Sequence, residues 1–331
     1  MRERPPVPLA GVTIDVHLAD TSRETALADD VFFGLRRSPK ELPPKWFYDE
    51  RGSRLFSKIT TLPEYYLTGA ERQILADHAA DISRLTRART LVELGSGTSE
   101  KTRLLLDALT ADGLLELFTP FDVSEEVLCS SAARVAAEYP GVSVRAIVGD
   151  FDRHLDELPT EPGPVIVAFL GSSVGNMYPE ERHRFFSSIR RTLGEGDSFL
   201  LGADLIKDRR RLEAAYNDQA GVSAEFNLNV LHVLNNELDA DFPVDNFEHV
   251  ARFDERNAWM EMSVRCRDAV TVHLGKLDME VDFAAGELMR TEISTKFRTD
   301  QLAGELRAAG FNTEHVFTDT NHDFALLLAK G

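Results

Sequence analysis

One segment constrains the fold of this chain more than any other. Residues 90–109 read Thr-Leu-Val-Glu-Leu-Gly-Ser-Gly-Thr-Ser-Glu-Lys-Thr-Arg-Leu-Leu-Leu-Asp-Ala-Leu. This pattern predicts a short buried strand, a tight turn at Gly95-Ser96-Gly97, and a helix with leucines on one face. The two glycines allow the backbone to turn sharply and to approach a ligand with no Cβ in the way. Thr98 or Ser99 is expected to cap the helix, whose first N–H groups would face the polar end of a ligand. The segment therefore predicts a nucleotide-binding corner.

The residues around this turn favour one class of nucleotide over another. A dinucleotide-binding turn has the pattern Gly-x-Gly-x-x-Gly, and Glu100 occupies the position of the third glycine. A glutamate there would repel a pyrophosphate and would hinder close packing of the helix on the strand. Glu93, two residues before Gly95, instead suits a nucleotide that carries positive charge. We therefore expect S-adenosylmethionine, which has an ammonium and a sulfonium group and no phosphate.

The charge balance of the chain argues against polyanionic partners. Its 331 residues carry a formal net charge of −18, with 43% hydrophobic and 28% charged residues, as in an ordinary globular protein. Nucleic acids and anionic membrane surfaces would be repelled by this charge, whereas small cationic or zwitterionic substrates would not. We therefore expect a small-molecule substrate, no nucleic-acid partner and no membrane partner, and we expect a monomer.

Cysteines, histidines and apolar runs bear on the compartment and on metals. Cys129 and Cys266 are the only cysteines and lie far apart in the sequence, which is typical of a reducing compartment. No apolar run reaches the roughly 18 residues of a membrane-spanning helix, and the N-terminus lacks the apolar core of a signal peptide. The nine histidines show no metal-ligand spacing. These features predict a cytoplasmic protein without a metal site.

A second predicted strand, over 117–122, ends in an acidic residue. This residue, Asp122, follows Gly97 at about the spacing of a ribose-binding acid in nucleotide-binding folds of this kind. It could equally cap the helix predicted over 124–138, and one side chain can serve both ends. The pattern alone leaves both roles open.

Two further strands are followed by candidate ligand-binding residues. The strand predicted over 142–148 is followed by Asp150 and Phe151, an acid and an aromatic ring that suit the amine and the face of an adenine. The continuous apolar run 164–170 predicts a strand that is buried on both faces. It opens into a loop of glycine, serine and asparagine over 171–176, where ligand contacts are expected beyond the strand ends.

The rest of the chain departs from the alternation of strand and helix. After a fifth strand over 198–204, alternating runs between 258 and 283 predict an antiparallel meander, and a helix and two strands end the chain. The middle portion therefore has the pattern of an insertion. The predicted domains are a cofactor-binding domain of 70–205 plus 297–331, a substrate-binding domain of 20–69 plus 206–296, and an arm of 1–19.

An aromatic segment bounded by prolines precedes the glycine corner. Its rings could simply pack in a core, or the tyrosines among them could line a pocket, because a tyrosine offers both an apolar ring and a polar tip. The spacing alone favours packing. The aromatic residues are Trp46, Phe47, Tyr48, Phe56, Tyr65 and Tyr66.

With these motifs in place, the sequence closely resembles the bacterial L-histidine Nα-methyltransferases of ergothioneine biosynthesis. The resemblance extends from about residue 20 over nearly the whole chain and includes the insertion. It implies an α/β fold, a Rossmann-like class I methyltransferase sheet with an inserted α+β substrate-binding lobe. The matching stretches begin with Pro43-Pro-Lys-Trp-Phe-Tyr-Asp, Leu62-Pro-Glu-Tyr-Tyr, Leu91-Val-Glu-Leu-Gly-Ser-Gly-Thr-Ser-Glu-Lys-Thr, Gly149-Asp-Phe, Phe169-Leu-Gly-Ser-Ser-Val-Gly-Asn, Ala220-Gly-Val-Ser-Ala-Glu-Phe-Asn and Val281-Asp-Phe-Ala-Ala-Gly-Glu.

The resemblance also implies an activity and a set of site residues. Such enzymes convert histidine to its trimethylated betaine, hercynine, in three steps that depend on S-adenosylmethionine. The residues expected to hold the methyl donor are Gly95, Ser96, Gly97, Lys101, Asp122, Asp150 and Phe151. The residues expected to bind histidine between the two lobes are Tyr65, Gly171, Asn176, Tyr216, Ser223, Met262, Glu292 and Ser294. Tyr48 would face the methylated nitrogen, and Asn176 would orient the amine, so these two are the expected catalytic residues.

Three other functions compete with this interpretation. An N-methyltransferase for tryptophan or a derivative would want an apolar partner for its indole where this chain has Glu292. A nicotinamide-dependent oxidoreductase is disfavoured by Glu100 at the third glycine position. A binding protein without catalytic activity would use the same cofactor, but no motif indicates lost chemistry.

Overall fold

The computed structural model describes residues 11–18, 20–151 and 153–331. Most of its helices and strands lie where the periodicity of the sequence predicts them, with boundaries shifted by one to three residues. The helices of the described residues are α1 Asp20–Gly34, α2 Glu50–Ile59, α3 Tyr66–Thr86, α4 Arg103–Ala111, α5 Glu125–Glu138, α6 Pro179–Thr192, α7 Arg209–Tyr216, α8 Val222–Leu238 and α9 Thr299–Ala308. The strands are β1 Val12–Val16, β2 Lys40–Glu41, β3 Thr90–Leu94, β4 Leu117–Asp122, β5 Ser143–Val148, β6 Val165–Phe169, β7 Ser198–Asp204, β8 Phe247–Asp254, β9 Trp259–Cys266, β10 Val270–Leu274, β11 Met279–Phe283, β12 Leu288–Thr295, β13 Asn312–Thr318 and β14 Phe324–Lys330.

These elements form two compact units. The first contains the described residues among 1–19 together with 69–205 and 297–331, and the second contains 20–68 and 206–296. The segment predicted as an arm contributes β1, which pairs in parallel with β5, while residues 1–10 and 19 lie outside the described part. In the described part of the chain, no helix is long and apolar enough to cross a membrane.

The first unit is built on an eight-stranded sheet with the order β1-β5-β4-β3-β6-β7-β14-β13. The strands from β1 to β7 are parallel, whereas β14 and β13 run antiparallel and close the sheet. The strand order reverses at β3, so that chain connections leave in opposite directions from β3 and β6. Ligands of open α/β sheets bind beyond the carboxyl ends of the strands at such a reversal. The predicted Rossmann-like α/β sheet, closed by an antiparallel strand pair, is confirmed.

Both faces of this sheet are covered, which explains its continuous apolar strands. Every residue of β3 and β6 is buried, as expected for parallel strands between two layers of helices. Alternate side chains of β3 enter different cores: Leu91 packs in the cluster with α3, α4 and α5, and Val92 packs in the cluster with α6 and α9. The chain segments that leave the carboxyl ends of β3 and β6 are therefore anchored to a rigid frame.

The second unit differs from the predicted meander. β9 pairs antiparallel with β8 and β12, and β12 pairs in parallel with β2, giving the order β2-β12-β9-β8. The strands β10 and β11 form a separate hairpin. The prediction of one meander was wrong because β8 was missed: its side chains are mostly half-buried, so its sequence lacks a clear alternation of apolar and polar residues. Helices α1, α2, α7 and α8 contribute side chains to the apolar core of this unit.

Candidate active site

The glycine turn follows the carboxyl end of β3, a central strand of the first unit's sheet. Gly95 and Gly97 have φ angles of 67° and 48°, the left-handed region that favours glycine. A Cβ built on either residue would meet no atom within 4 Å, so the space beside the turn is open. The N–H groups of Gly95 and Ser96 donate to the carbonyl oxygen of Phe121 at 2.8 and 3.1 Å and fix the turn to β4. This arrangement suits close approach of a ligand to the backbone.

The helix after the turn starts later than predicted. It begins at Arg103, and the residue at its N-cap position is Thr102 rather than Thr98 or Ser99. The Thr102 hydroxyl does not cap the helix but donates to Oε1 of Glu93. The capping prediction was therefore wrong, because the turn continues for another four residues and Ser99 has a φ of 51°.

Glu93 is a buried acid with unsatisfied hydrogen-bonding capacity. It is 4% exposed, and its Oε2 accepts no hydrogen bond from any residue that the structure describes. Burial raises the pKa of its carboxyl to about 7, although the side chains of Thr102 and Ser99 and the charge of Lys101 act to lower the pKa. Positive charge placed beside this carboxylate would offset the cost of burying it. The residues around the turn therefore fit a cationic nucleotide such as S-adenosylmethionine.

Asp122 binds backbone N–H groups on both the glycine turn and the segment that starts the next helix. One of its carboxylate oxygens accepts the N–H of Gly97 at 2.9 Å, and the other accepts the N–H of Ser124 at 3.0 Å, at the start of α5. Burial raises the pKa of the Asp122 carboxyl, while these N–H groups act to lower it. The side chain thus fixes the glycine turn to the next helix and stands where a ribose-binding acid is expected.

A second buried glutamate was missed by the sequence reasoning. Glu71 on α3 is fully buried; its Oε2 forms an ion pair with Lys101, and its Oε1 accepts the N–H of Gly171 at 2.7 Å. A Cβ on Gly202 would lie 2.5 Å from that Oε1, so any larger residue there would displace the carboxylate. The signal was available: Glu71 stands in the buried stripe of α3 with Ile74, where an apolar residue is the norm.

The other predicted residues of the first unit follow β5 and β6. Asp150 comes directly after Gly149 at the end of β5, and its N–H donates to Nδ1 of His154 at 3.0 Å. The Phe151 ring packs against Phe169 and Phe185, with centroids 5.6 and 5.7 Å away. Asn176 is the last residue of a short 3-10 turn over 173–176 and is half-buried. Glu71 brings Lys101 and Gly171 together.

In the second unit, the predicted tyrosines belong to an aromatic cluster. Tyr48 ends a 3-10 turn over 44–47, and its ring lies 5.5 Å from Phe226 and 5.6 Å from Phe56, measured between centroids. Tyr65 lies 6.2 Å from Phe56 and 6.5 Å from Tyr216. Tyr48 and Tyr65 remain half-buried, whereas Tyr216 is 7% exposed. Packing therefore accounts for the positions of these rings.

The predicted imidazole-binding residues share one face of β12. Glu292 and Ser294 are two residues apart, so their side chains point to the same side of the strand. Met262 on β9 lies directly opposite Glu292 and is buried. The register shifts between Arg290 and Glu292, and this irregularity re-aims the strand just before Glu292.

A buried polar network supports this part of β12. The Thr291 hydroxyl donates to Oδ1 of Asn227 at 2.6 Å, and the Asn227 amide donates to Nδ1 of His249 at 2.8 Å. Nε2 of His249 in turn donates to the carbonyl oxygen of Tyr216 at 2.9 Å, which requires a neutral imidazole. Burial lowers the pKa of His249 and so favours that neutral form. Ser223, at the start of α8, is held separately by its N–H, which donates to Asp218 at 2.7 Å.

Comparison with known proteins decides the family. A model of histidine-specific, S-adenosylmethionine-dependent methyltransferases matches residues 27–331. The chain belongs to this family. It is therefore an S-adenosylmethionine-dependent N-methyltransferase, as predicted, and the nicotinamide-dependent alternative is excluded. Within the described ranges, no group of three or more histidine, cysteine, aspartate or glutamate side chains is placed to hold a metal ion.

Individual relatives in the family are similar over almost their full length. The histidine N-alpha-methyltransferase of Mycolicibacterium smegmatis is 53% identical, covering 95% of this chain and 97% of its own. The protein of the same name from Mycobacterium tuberculosis is 50% identical, covering 96% and 99%. Ergothioneine biosynthesis protein 1 of Neurospora crassa is 36% identical over 61% of this chain and 24% of its own length. Family membership does not assign roles to single residues, so the roles of the site residues stay predictions.

Proposed function

We propose that this methyltransferase adds three methyl groups to the α-amino group of L-histidine and so makes hercynine, a step of ergothioneine biosynthesis. The placement of Glu292 and Ser294 on one face of β12 carries the choice of substrate. A neutral imidazole offers one N–H donor and one acceptor nitrogen, which a carboxylate and a hydroxyl can satisfy. A site with such polar groups rejects a ring that lacks the matching partners, by up to about 10⁴–10⁵-fold.

The first unit supplies the groups that would hold the methyl donor. When bound, S-adenosylmethionine supplies an activated methyl group on a sulfonium. In the proposed site, Glu93 offsets positive charge, Asp122 accepts from the ribose hydroxyls and Lys101 attracts the carboxylate. Asp150 and Phe151 would bind the amine and the face of the adenine. The buried carboxylate oxygen of Glu93 that lacks a hydrogen bond among the described residues supports this assignment.

Alignment of the amine is the main contribution that the chain's residues would make to the rate. Holding a nucleophile and its target in the productive geometry can be worth about 7–11 kcal/mol. The amine must be neutral to attack, so a proton has to leave before each transfer. We assign Asn176 to orienting the amine and Tyr48 to passing its proton to water. The Tyr48 ring would also tolerate the growing ammonium, through cation–π attraction of about 0.5–2 kcal/mol.

The remaining substrate contacts would recognise the amino-acid backbone. Tyr65 is half-buried, the Tyr216 hydroxyl lies 2.8 Å from Oγ of Ser294, and Gly171 follows β6 in the first unit. We assign these three residues to the amino and carboxylate groups of histidine, and Ser223 and Met262 to the surroundings of its ring. We further propose that the protein acts as a cytoplasmic monomer, in keeping with its two free thiols.

Mass spectrometry of histidine after incubation with the purified protein and S-adenosylmethionine tests the proposal directly. We expect products with one, two and finally three added methyl groups, and no methylation of tryptophan. Methylation of tryptophan in preference to histidine would instead support the alternative substrate. Histidine left unchanged under conditions where the protein binds S-adenosylmethionine would refute the proposed function.

A variant at Glu292 tests the choice of substrate separately. Glu292→Ala removes the acceptor for the imidazole N–H, so we expect weaker histidine binding and greater acceptance of bulkier aromatic amino acids. Glu280→Ala, which removes an exposed glutamate of the same unit, is the matched control. Histidine selectivity that is unchanged in Glu292→Ala would defeat the assignment.

A further inference from the structure

A buried lysine stands beside two of the predicted histidine-binding residues. Lys296 is 1% exposed, and its ammonium donates to the Tyr216 hydroxyl at 2.7 Å and to the Ser294 hydroxyl at 2.8 Å. The Tyr216 hydroxyl also donates to Oγ of Ser294 at 2.8 Å. The three polar groups therefore form a closed triangle, which we call the Lys296 triad. No motif in the sequence points to this lysine.

The chemistry of the three groups gives each bond in the triad a direction: lysine can only donate, and between the two hydroxyls the more acidic phenol of Tyr216 is the better donor. A lysine ammonium has three hydrogens and no acceptor, so both hydroxyl oxygens must accept from Lys296. Oγ of Ser294 accepts a second bond from Tyr216, which fills both of its lone pairs. Only the hydrogen of the Ser294 hydroxyl is then still available for a further hydrogen bond, and this hydrogen must point away from the triad.

We propose that Lys296 is a specificity-determining residue that makes Ser294 an obligatory hydrogen-bond donor, so that the site accepts the neutral imidazole of histidine and rejects the imidazolium. The inference rests on the proposed function, in which Ser294 and Glu292 bind the ring. A neutral imidazole has a lone pair to receive the Ser294 hydrogen, whereas an imidazolium presents N–H groups at both nitrogens. A donor facing a donor leaves both unsatisfied in a buried site, which is costly.

A serine hydroxyl without Lys296 would not have this selectivity. A hydroxyl can turn to donate or to accept, so a free serine would bind either protonation state of the ring. Lys296 removes that freedom, because it occupies an acceptor position of Ser294 and keeps Tyr216 in place. The lysine also lies over the Tyr216 ring, with Nζ 4.6 Å from its centroid. Its effect on the substrate would pass through these two side chains.

Other titratable groups near the triad could also give a dependence on pH. Glu292 is on the same strand, Glu261 lies on β9 opposite Ile293, and His249 donates to the carbonyl oxygen of Tyr216. Asp218 follows α7 and binds the N–H of Ser223. A ligand that does not itself titrate separates these groups from the substrate, because any change in its affinity with pH must come from the protein.

The test measures histidine binding by calorimetry at pH about 5.5 and about 8, on either side of the imidazole pKa of about 6.5. The protein is saturated with S-adenosylhomocysteine, so that no turnover occurs. If only neutral histidine binds, its apparent Kd should rise about tenfold at the lower pH, since about one molecule in ten is then neutral. The triazole analogue of histidine, whose ring stays neutral in this range, should bind almost equally at both values.

Lys296→Met keeps most of the length of the unbranched side chain and removes the donor. We expect the rise in the Kd of histidine between the two pH values to shrink to about threefold or less, because Ser294 can then accept from an imidazolium. Lys276→Met, which removes an exposed lysine of the same unit, should keep the tenfold rise. A structural role for Lys296 would raise the Kd equally at both pH values, and an unchanged ratio would overturn the inference.

Two further outcomes keep the test decisive. If Lys296→Met does not fold, Tyr216→Phe replaces it, because this variant also frees one lone pair of Ser294. The ratio of the histidine Kd values at the two pH values should then fall. A ratio that stays at about tenfold would count against the inference. If wild-type protein binds S-adenosylhomocysteine but binds histidine at neither pH, the proposed function fails and the inference fails with it. Wild-type binding of histidine with no dependence on pH overturns the inference alone.

Discussion

Replacing Glu71 with glutamine should weaken the first unit and its affinity for S-adenosylmethionine together. The fully buried carboxylate pairs with Lys101, whose side chain is 24% exposed, and accepts the Gly171 N–H at 2.7 Å. Removing one partner of a fully buried ion pair costs about 3–5 kcal/mol. The cost should be lower here, about 2 kcal/mol, because Lys101 keeps some solvent and the glutamine oxygen can still accept from Gly171. A loss of that size lowers the melting temperature by about 4–8 °C in a unit of this size.

The assay combines thermal unfolding with calorimetric titration of S-adenosylmethionine. We expect Glu71→Gln to raise the Kd for the cofactor about tenfold, equivalent to about 1.4 kcal/mol, because Lys101 loses the partner that orients it. Glu195→Gln, an exposed glutamate of the same unit, should change neither quantity. The double variant with Lys101→Met should lose less stability than the sum of the two single variants. Losses that add within about 0.5 kcal/mol would show that the two side chains are not coupled and would refute the reasoning.

Three further predictions concern titratable groups and the order of methylation. Because burial raises the pKa of Glu93 to about 7, the wild-type affinity for the cationic cofactor should rise as pH increases through about 7, and Glu93→Gln should show a flat profile by calorimetry. Burial lowers the pKa of His249, so the folded protein favours the neutral imidazole. This preference contributes fully to the free energy of unfolding above about pH 6.5, and the contribution is lost as pH falls below that value. Melting curves at two pH values should show a smaller loss of stability in acid for His249→Gln than for wild type. A loss equal to wild type would place the effect elsewhere, and His273→Gln, which changes an exposed histidine of the same unit, is the control. Tyr48→Phe should slow the second and third methylations more than the first, and mass spectrometry showing equal slowing at all three would rule out its proposed role.

Local sequence patterns predicted the first unit well because its constraints are local. A buried parallel strand, a glycine turn and an amphipathic helix each leave a mark within about ten residues. The glycine corner at 95–97 and the strand pair that closes the sheet could both be predicted from such local patterns. The start of α4 was misplaced because the turn is stabilised from outside it, by Asp122 on Gly97 and by Thr102 on Glu93. Capping preferences do not include such contacts.

The strand pairing of the second unit could not be predicted in the same way. β12 lies between β9 and β2, and β2 comes from a segment far earlier in the chain. Pairing between distant segments is set by the packing of the whole unit, and a run of half-buried residues such as β8 gives little signal of its own. The predicted imidazole-binding residues fall on one face of β12 because the residues from 292 to 294 are regular strand. The irregularity just before Glu292 has no counterpart in the periodicity.

Glu71 and Lys296 were missed for a related reason. Each is a charged residue at a position that is buried, and the pattern around each one is otherwise that of a core segment. Charged residues are almost never fully buried unless they are paired, so such a position is itself a signal. The partner that explains it, Lys101 for the first and Ser294 for the second, becomes evident only once the fold is known.

The proposed contacts to the amine and to the imidazole have different roles, and this difference explains how one site could carry out three successive transfers. Each methylation removes an N–H group from the amine, so contacts to the amine weaken as the reaction proceeds. The imidazole is unchanged by the reaction, and its proposed partners, Glu292 and Ser294, therefore bind every intermediate equally well. If Lys296 fixes the donor role of Ser294, this anchor also keeps the same protonation state of the ring through all three steps. Selectivity that depends on the ring rather than on the amine is what a trimethylating enzyme needs, because the intermediates would otherwise be lost before the last transfer.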